Sequence, residues 1–96
     1  MSKGPISGEF GQGLDIATKR KALDAEIEAL SKGNAGAALK WQSEDKIEGE
    51  VTPGQQFEVS NRVCRTYSHV ISGAGPTRSV QATACRNQDG LWEPLS

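Results

Sequence analysis

The chain reads as an α+β domain: one N-terminal helix packed on a small antiparallel sheet of about four strands, with a disulfide-tied hairpin. Three observations predict this. A Pro-free stretch of good helix formers runs from Leu14 to Lys32 and stops on Gly33. Beyond it the pattern switches to short period-two runs separated by Gly, Pro and Asp. A helix first and strands afterwards is the α+β order, because a βαβ fold would alternate them.

In chain order, residues 1–13 (MSKGPISGEFGQG) are rich in Gly and polar groups and bury little. They read as a flexible tail or the end of a glycine-rich apolar segment. Residues 14–33 form the helix, with Asp15 as N-cap or as a first-turn acid facing the positive helix end. Ile16, Leu23, Ile27 and Leu30 fall near one face and predict an apolar stripe that packs on the domain, docks a partner or self-associates.

Residues 37–96 form the β part. Ala37–Gln42 is a first strand with Leu39 and Trp41 on one side, followed by a polar turn at Ser43–Lys46. Ile47–Thr52 is a second strand, in which Gly49 marks a bulge or the close approach of another group such as a Trp ring. Pro53-Gly54 reads as a tight turn, and Gln55–Val59 as a weakly paired or looping segment. Arg62–Ile71 and Thr77–Arg86 are long strands joined through Ser72–Pro76. Asp89-Gly90 is a turn that opens a short last strand at Leu91-Trp92.

If that long hairpin is symmetric about Ala74 and Gly75, Cys64 stands opposite Cys85, Arg65 opposite Ala84, Tyr67 opposite Ala82 and His69 opposite Val80. Val63, Tyr67, Ile71, Val80, Ala82 and Ala84 then share one face, and both cysteines take the other. Arg65, His69, Arg78 and Arg86 fall on the apolar face as well and are expected to reach its rim. A bridge between opposed cysteines contributes about 3 kcal/mol by loop entropy. Two reduced, buried thiols are the alternative. Two cysteines a whole hairpin apart, with one His, lack zinc-ligand spacing, so no metal and no cofactor is expected.

The bulk numbers agree with a stapled domain. The chain has 96 residues, 35% hydrophobic and 5% aromatic, a lean core that benefits from a cross-link. Its formal net charge is -1 with both signs interspersed, which excludes a basic nucleic-acid footprint and a polybasic lipid patch. The longest apolar run, Ala35–Leu39, is interrupted by Gly36 and spans no membrane. Met1-Ser-Lys-Gly-Pro5 lacks the apolar stretch of a secretory signal. A disulfide without an export signal reads most simply as a domain whose export segment has been removed.

Little points to catalysis. His69 is the only His, so a Ser–His or Cys–His mechanism would have to use it, and its mid-strand place predicts a packed or rim side chain. Glu44, Asp45, Glu48 and Glu50 sit at turns or on an outward face and read as solvated acids. Ser72–Gly75 lacks the Lys and the helix of a phosphate loop. Arg62, Arg65, Arg78 and Arg86 are the candidate ligand-binding strip for an anion, with exposed arginines covering apolar surface as the alternative.

The order Trp41, Gly49-x-Val-Thr-Pro53, Cys64-Arg-x-Tyr67, Ala84-Cys-Arg86 and Asp89-Gly-x-Trp92 resembles the C-terminal domain of the 17 kDa surface-antigen family, rickettsial-type bacterial outer-membrane lipoproteins. The resemblance covers roughly Gly8 to Trp92, and it departs at Gln42–Lys46. It implies an upstream signal peptide, a lipid anchor and a glycine zipper, and a domain outside the cytoplasm in the outer membrane, facing periplasm or exterior. It implies Cys64 and Cys85 as a disulfide and Trp41, Gly49, Tyr67, Gly90 and Trp92 as structural residues. Members of that family are not known as enzymes, so no catalytic residue carries over. The expected function is a non-enzymatic envelope domain with a structural or surface-interaction role. The alternative is a module that binds a glycan or an envelope protein through the arginine-bearing strands.

Overall fold

A computed structural model describes residues 13–44, 46–73 and 75–95. The tail expected over residues 1–13 lies outside them except for Gly13. One helix, α1 (Ile16–Lys32), precedes five strands: β1 (Leu39–Gln42), β2 (Glu48–Val59), β3 (Arg62–Ser72), β4 (Arg78–Arg86) and β5 (Trp92–Pro94). The strands form one antiparallel sheet in chain order, so every connection joins neighbours. The sheet therefore has five strands where the sequence suggests about four.

β2 also runs further than the sequence suggests. Pro53-Gly54 does not end the strand as a turn. It lies in a bulge, where the register with β3 shifts between Pro53 and Gln56. The chain runs on through Gln55–Val59, pairs Phe57 with Cys64 and Val59 with Arg62, and turns back through Ser60-Asn61. Both turn residues have positive φ, 49° and 68°, the signature of a two-residue hairpin whose twist matches its strands. The register between β3 and β4 is the symmetric one, with Cys64 opposite Cys85 and Tyr67 opposite Ala82.

α1 starts where expected, with Thr18 N–H donating to Asp15 Oδ1 at 2.7 Å. It stops at Gly33, but not through a left-handed glycine, since φ there is -73°. Gly33 is needed for proximity: an added Cβ would lie 2.5 Å from the Ala29 carbonyl oxygen and 2.9 Å from Pro53.

The buried helix face differs from the expected stripe. Thr18, Ala22, Ala25, Glu26, Ala29 and Leu30 are buried, Leu23 and Ile27 are half-buried, and Ile16 is 82% exposed. The reason is steric. The sheet supplies the large groups, Val51, Tyr67, Ile71, Trp41 and Trp92, and small alanines let the helix settle onto them. Gly49 fits the same logic: it pairs with Trp41, and a Cβ there would lie 2.5 Å from the indole.

Candidate functional site

The polar side chains with chemical potential gather under α1, at two places on its face of the sheet. The first is a buried chain of four. Alternation along β3 points Tyr67 and His69 at the helix, where Glu26 meets them from the alanine-lined face. His69 Nδ1 lies 2.7 Å from Glu26 Oε2, and Trp41 Nε1 donates to His69 Nε2 at 2.9 Å. Tyr67 Oη reaches Glu26 Oε1 at 3.5 Å. Glu26 and His69 are both 0% exposed.

The proton positions follow from one fact: an indole N–H only donates. His69 Nε2 must then accept, which leaves Nδ1 to donate to the Glu26 carboxylate. The ring is thereby fixed in one tautomer, with both nitrogens engaged inside the core. Burial, and then the charge and hydrogen bond of Glu26, hold the Tyr67 phenol far above its ordinary pKa of 10.0. A carboxylate–imidazole pair normally invites comparison with acid–base catalysis. Here the nitrogen that would face a substrate is capped by Trp41, so the chain reads as a satisfied core network.

The second place is Arg65, expected at the rim and found 4% exposed. Its Nη1 donates to the carbonyls of Leu30 at 3.0 Å and Gly33 at 2.9 Å, and to Ala29 at 3.3 Å. Its Nε and Nη2 both donate to the Gly54 carbonyl, at 3.0 and 2.8 Å. A guanidinium thus closes the C-terminal end of α1, where the helix dipole favours a cation, and ties it to the bulge of β2. Each of these acceptors is a backbone oxygen.

The four arginines do not form one strip. Arg65 is buried under α1, and Arg78 stands opposite Ile71 at the far end of β4. Arg62 and Arg86 meet at the cysteine end and are exposed. Arg62 Nε donates to the Arg86 carbonyl at 3.1 Å and its Nη2 lies 3.8 Å from Glu93. The Arg86 guanidinium sits 5.0 Å from the centroid of Trp92. Trp92 in turn donates to Ser31 Oγ at 3.0 Å.

Cys64 and Cys85 are joined, with Cα atoms 3.9 Å apart. The bond lies on the sheet face away from α1, as the alternation of β3 and β4 requires. Gly90, with φ of 78°, completes a loop in which Asn87 Oδ1 accepts from the Asp89 and Leu91 amides. Among the described residues, no three His, Cys, Asp or Glu side chains are grouped to hold a metal ion.

The sequence reading did not find Glu26 or the role of Arg65. For Glu26 a signal existed: Ala22, Ala25 and Ala29 surround it at helical spacing, and such a face approaches another element closely. For Arg65 no signal existed, because carbonyl acceptors leave no mark in a sequence.

Fold and clusters together define a one-helix, five-strand antiparallel domain that is stapled on one face and pinned by buried polar groups on the other. The chain belongs to the 17 kDa outer membrane surface antigen family, whose model matches residues 28–93. It is similar to the 17 kDa surface antigen of Rickettsia bellii, 27% identical over 90 residues, covering 92% of this chain and 57% of that protein. It is 30% identical over 86 residues to the 17 kDa surface antigen of Rickettsia felis, covering 88% and 54% respectively. The antigen of Rickettsia conorii is 29% identical over 86 residues. The chain thus spans little more than half the length of these relatives. No solved structure gives a significant match. Among the described residues, no helix is long and apolar enough to cross a membrane.

Proposed function

We propose that the chain is the head domain of a surface-antigen-like outer-membrane lipoprotein, with a structural or surface-interaction role rather than a catalytic one. One observation carries this reading: the groups best suited to chemistry are consumed by the core. Glu26, His69, Tyr67 and Arg65 are buried and hydrogen-bonded to one another, to Trp41 or to backbone. The disulfide supports an oxidising compartment, because reducing cytosol keeps such thiols apart. The names of the relatives support the cell surface. An upstream lipid anchor and glycine zipper belong to the same proposal.

A glycan- or protein-binding role through the arginines would rest on Arg62 and Arg86, the two that are exposed side by side. Fractionating cells that make the natural protein tests the main reading. The expected outcome is recovery with the outer membrane, with Cys64 and Cys85 oxidised when lysates are run without reductant. A purely cytoplasmic, reduced protein would sink it.

A further inference from the structure

Among the described residues, no strand lies beside the outer edge of β2 from Gln55 to Val59. β1 covers β2 only from Glu48 to Val51, the Pro53 carbonyl accepts from Gly36 N–H, and the Gly54 carbonyl is taken by Arg65. All five residues that follow are exposed, Phe57 at 40% and Val59 at 43%. Cross-strand partners share a face, so Phe57 and Val59, opposite Cys64 and Arg62, both stand on the disulfide side. Proteins usually blunt such an edge with Lys, Pro or a covering loop. This one carries neither residue. The open part of β4, from Arg78 to Ala82, is different, since it begins on a charge and sets Ser79 and Gln81 on the disulfide face.

We propose that this edge pairs with the same edge of a second copy of the chain, antiparallel about a two-fold axis at Phe57, making two sheets continuous. The sequence of the edge fits itself in that register. Phe57 meets Phe57, Gln56 meets Glu58, and Gln55 meets Val59. The single charge of the segment therefore faces a neutral amide, and the Phe57 and Val59 side chains of both copies lie together on one face. Moving the axis to Glu58 would oppose two carboxylates. Moving it by half a step would set Phe57 against Glu58. A net charge of -1 per chain leaves little long-range repulsion between copies. The pairing is isologous, so it closes as a dimer, and it stands whether or not the domain resides in the envelope.

Sedimentation velocity on the oxidised domain, from micromolar to near-millimolar concentration, reads the association directly. Amide exchange reads the edge. The expected result is a concentration-dependent dimer with protection rising across Gln55–Val59. Substitutions at the exposed edge leave the fold alone and test the register. Gln56→Lys, placed opposite Glu58, should tighten the dimer. Gln56→Glu and Phe57→Lys should weaken it, each by roughly tenfold or more. A monomer at every concentration would overturn the proposal. So would a dimer indifferent to all three substitutions, assemblies that keep growing, or edge protection seen only when a foreign extended peptide is added.

Discussion

Trp41 has a single polar atom, and it decides the proton arrangement of everything bonded behind it. Because that indole donates to His69 Nε2, the imidazole must donate to Glu26, and Glu26 must stay the acceptor for Tyr67. The Tyr67 phenol consequently sits beside a carboxylate in a dry site, and both factors disfavour the phenolate. Below pH about 10 the phenol is protonated in the folded and unfolded chains alike. Above that the unfolded chain releases the proton first, while the folded chain holds it. Unfolding is therefore favoured as pH rises past the unfolded value. Tyr67 is the only tyrosine, so the effect is separable. Urea midpoints should fall as the pH passes about 10, and Tyr67→Phe should fall less steeply over the same range. Parallel curves for the two proteins would refute the assignment.

At the scale of elements, the decisive joint is between the end of α1 and the bulge of β2. Helix C-termini leave carbonyls without partners, and here one guanidinium serves Leu30, Gly33 and Gly54 at once. Arg65→Met keeps the length of the side chain but removes every donor. It should lower the unfolding free energy by roughly 3 kcal/mol, the scale of hydrogen bonds to a charged group plus unpaired buried carbonyls. A loss under about 1 kcal/mol in urea denaturation would mean that water replaces the arginine. The same joint explains where the sequence was legible. Asp15 and the Cys64–Cys85 register were readable because a cap and a strand alternation are local patterns. The hairpin between β2 and β3 was not. Ser60-Asn61 lacks the Gly that advertises such turns, while Pro53-Gly54, which carries a turn signal, lies in a bulge. The helix stripe failed for a related reason. Hydrophobicity alone favoured Ile16, but the large side chains of the sheet selected the face with the smallest residues.

At the scale of the molecule, the domain is held from two sides. The sheet face toward α1 carries Val51, Tyr67, Ala84 and Trp92, which pack with Leu30 of the helix, and the opposite face carries the disulfide. The two supports are separate, so removing one should weaken the fold without changing its topology. Cys64 and Cys85 are 21 residues apart in sequence and already neighbours in the sheet. Replacing both with Ala should cost about 3 kcal/mol, seen as an earlier denaturation midpoint with the amide pattern of the helix face retained. An unchanged midpoint would show that the staple contributes nothing to equilibrium stability. Loss of the whole pattern would show that the helix-side core does not hold the sheet by itself.

By itself the sequence determined the helix and its cap, the succession of strands, and the pairing that sets Cys64 against Cys85. Each of these follows from patterns within one element or one hairpin, where side-chain period and turn length settle the geometry. Only the tertiary structure decided which face α1 buries, that β2 continues through its bulge, and what Arg65, His69 and Glu26 touch. Their partners lie far away in sequence, 43 residues for His69 and Glu26 and 35 for Arg65 and Leu30. A buried charge must find whatever acceptor the fold brings to it. For Arg65 those acceptors are carbonyls, which every residue has and no sequence distinguishes.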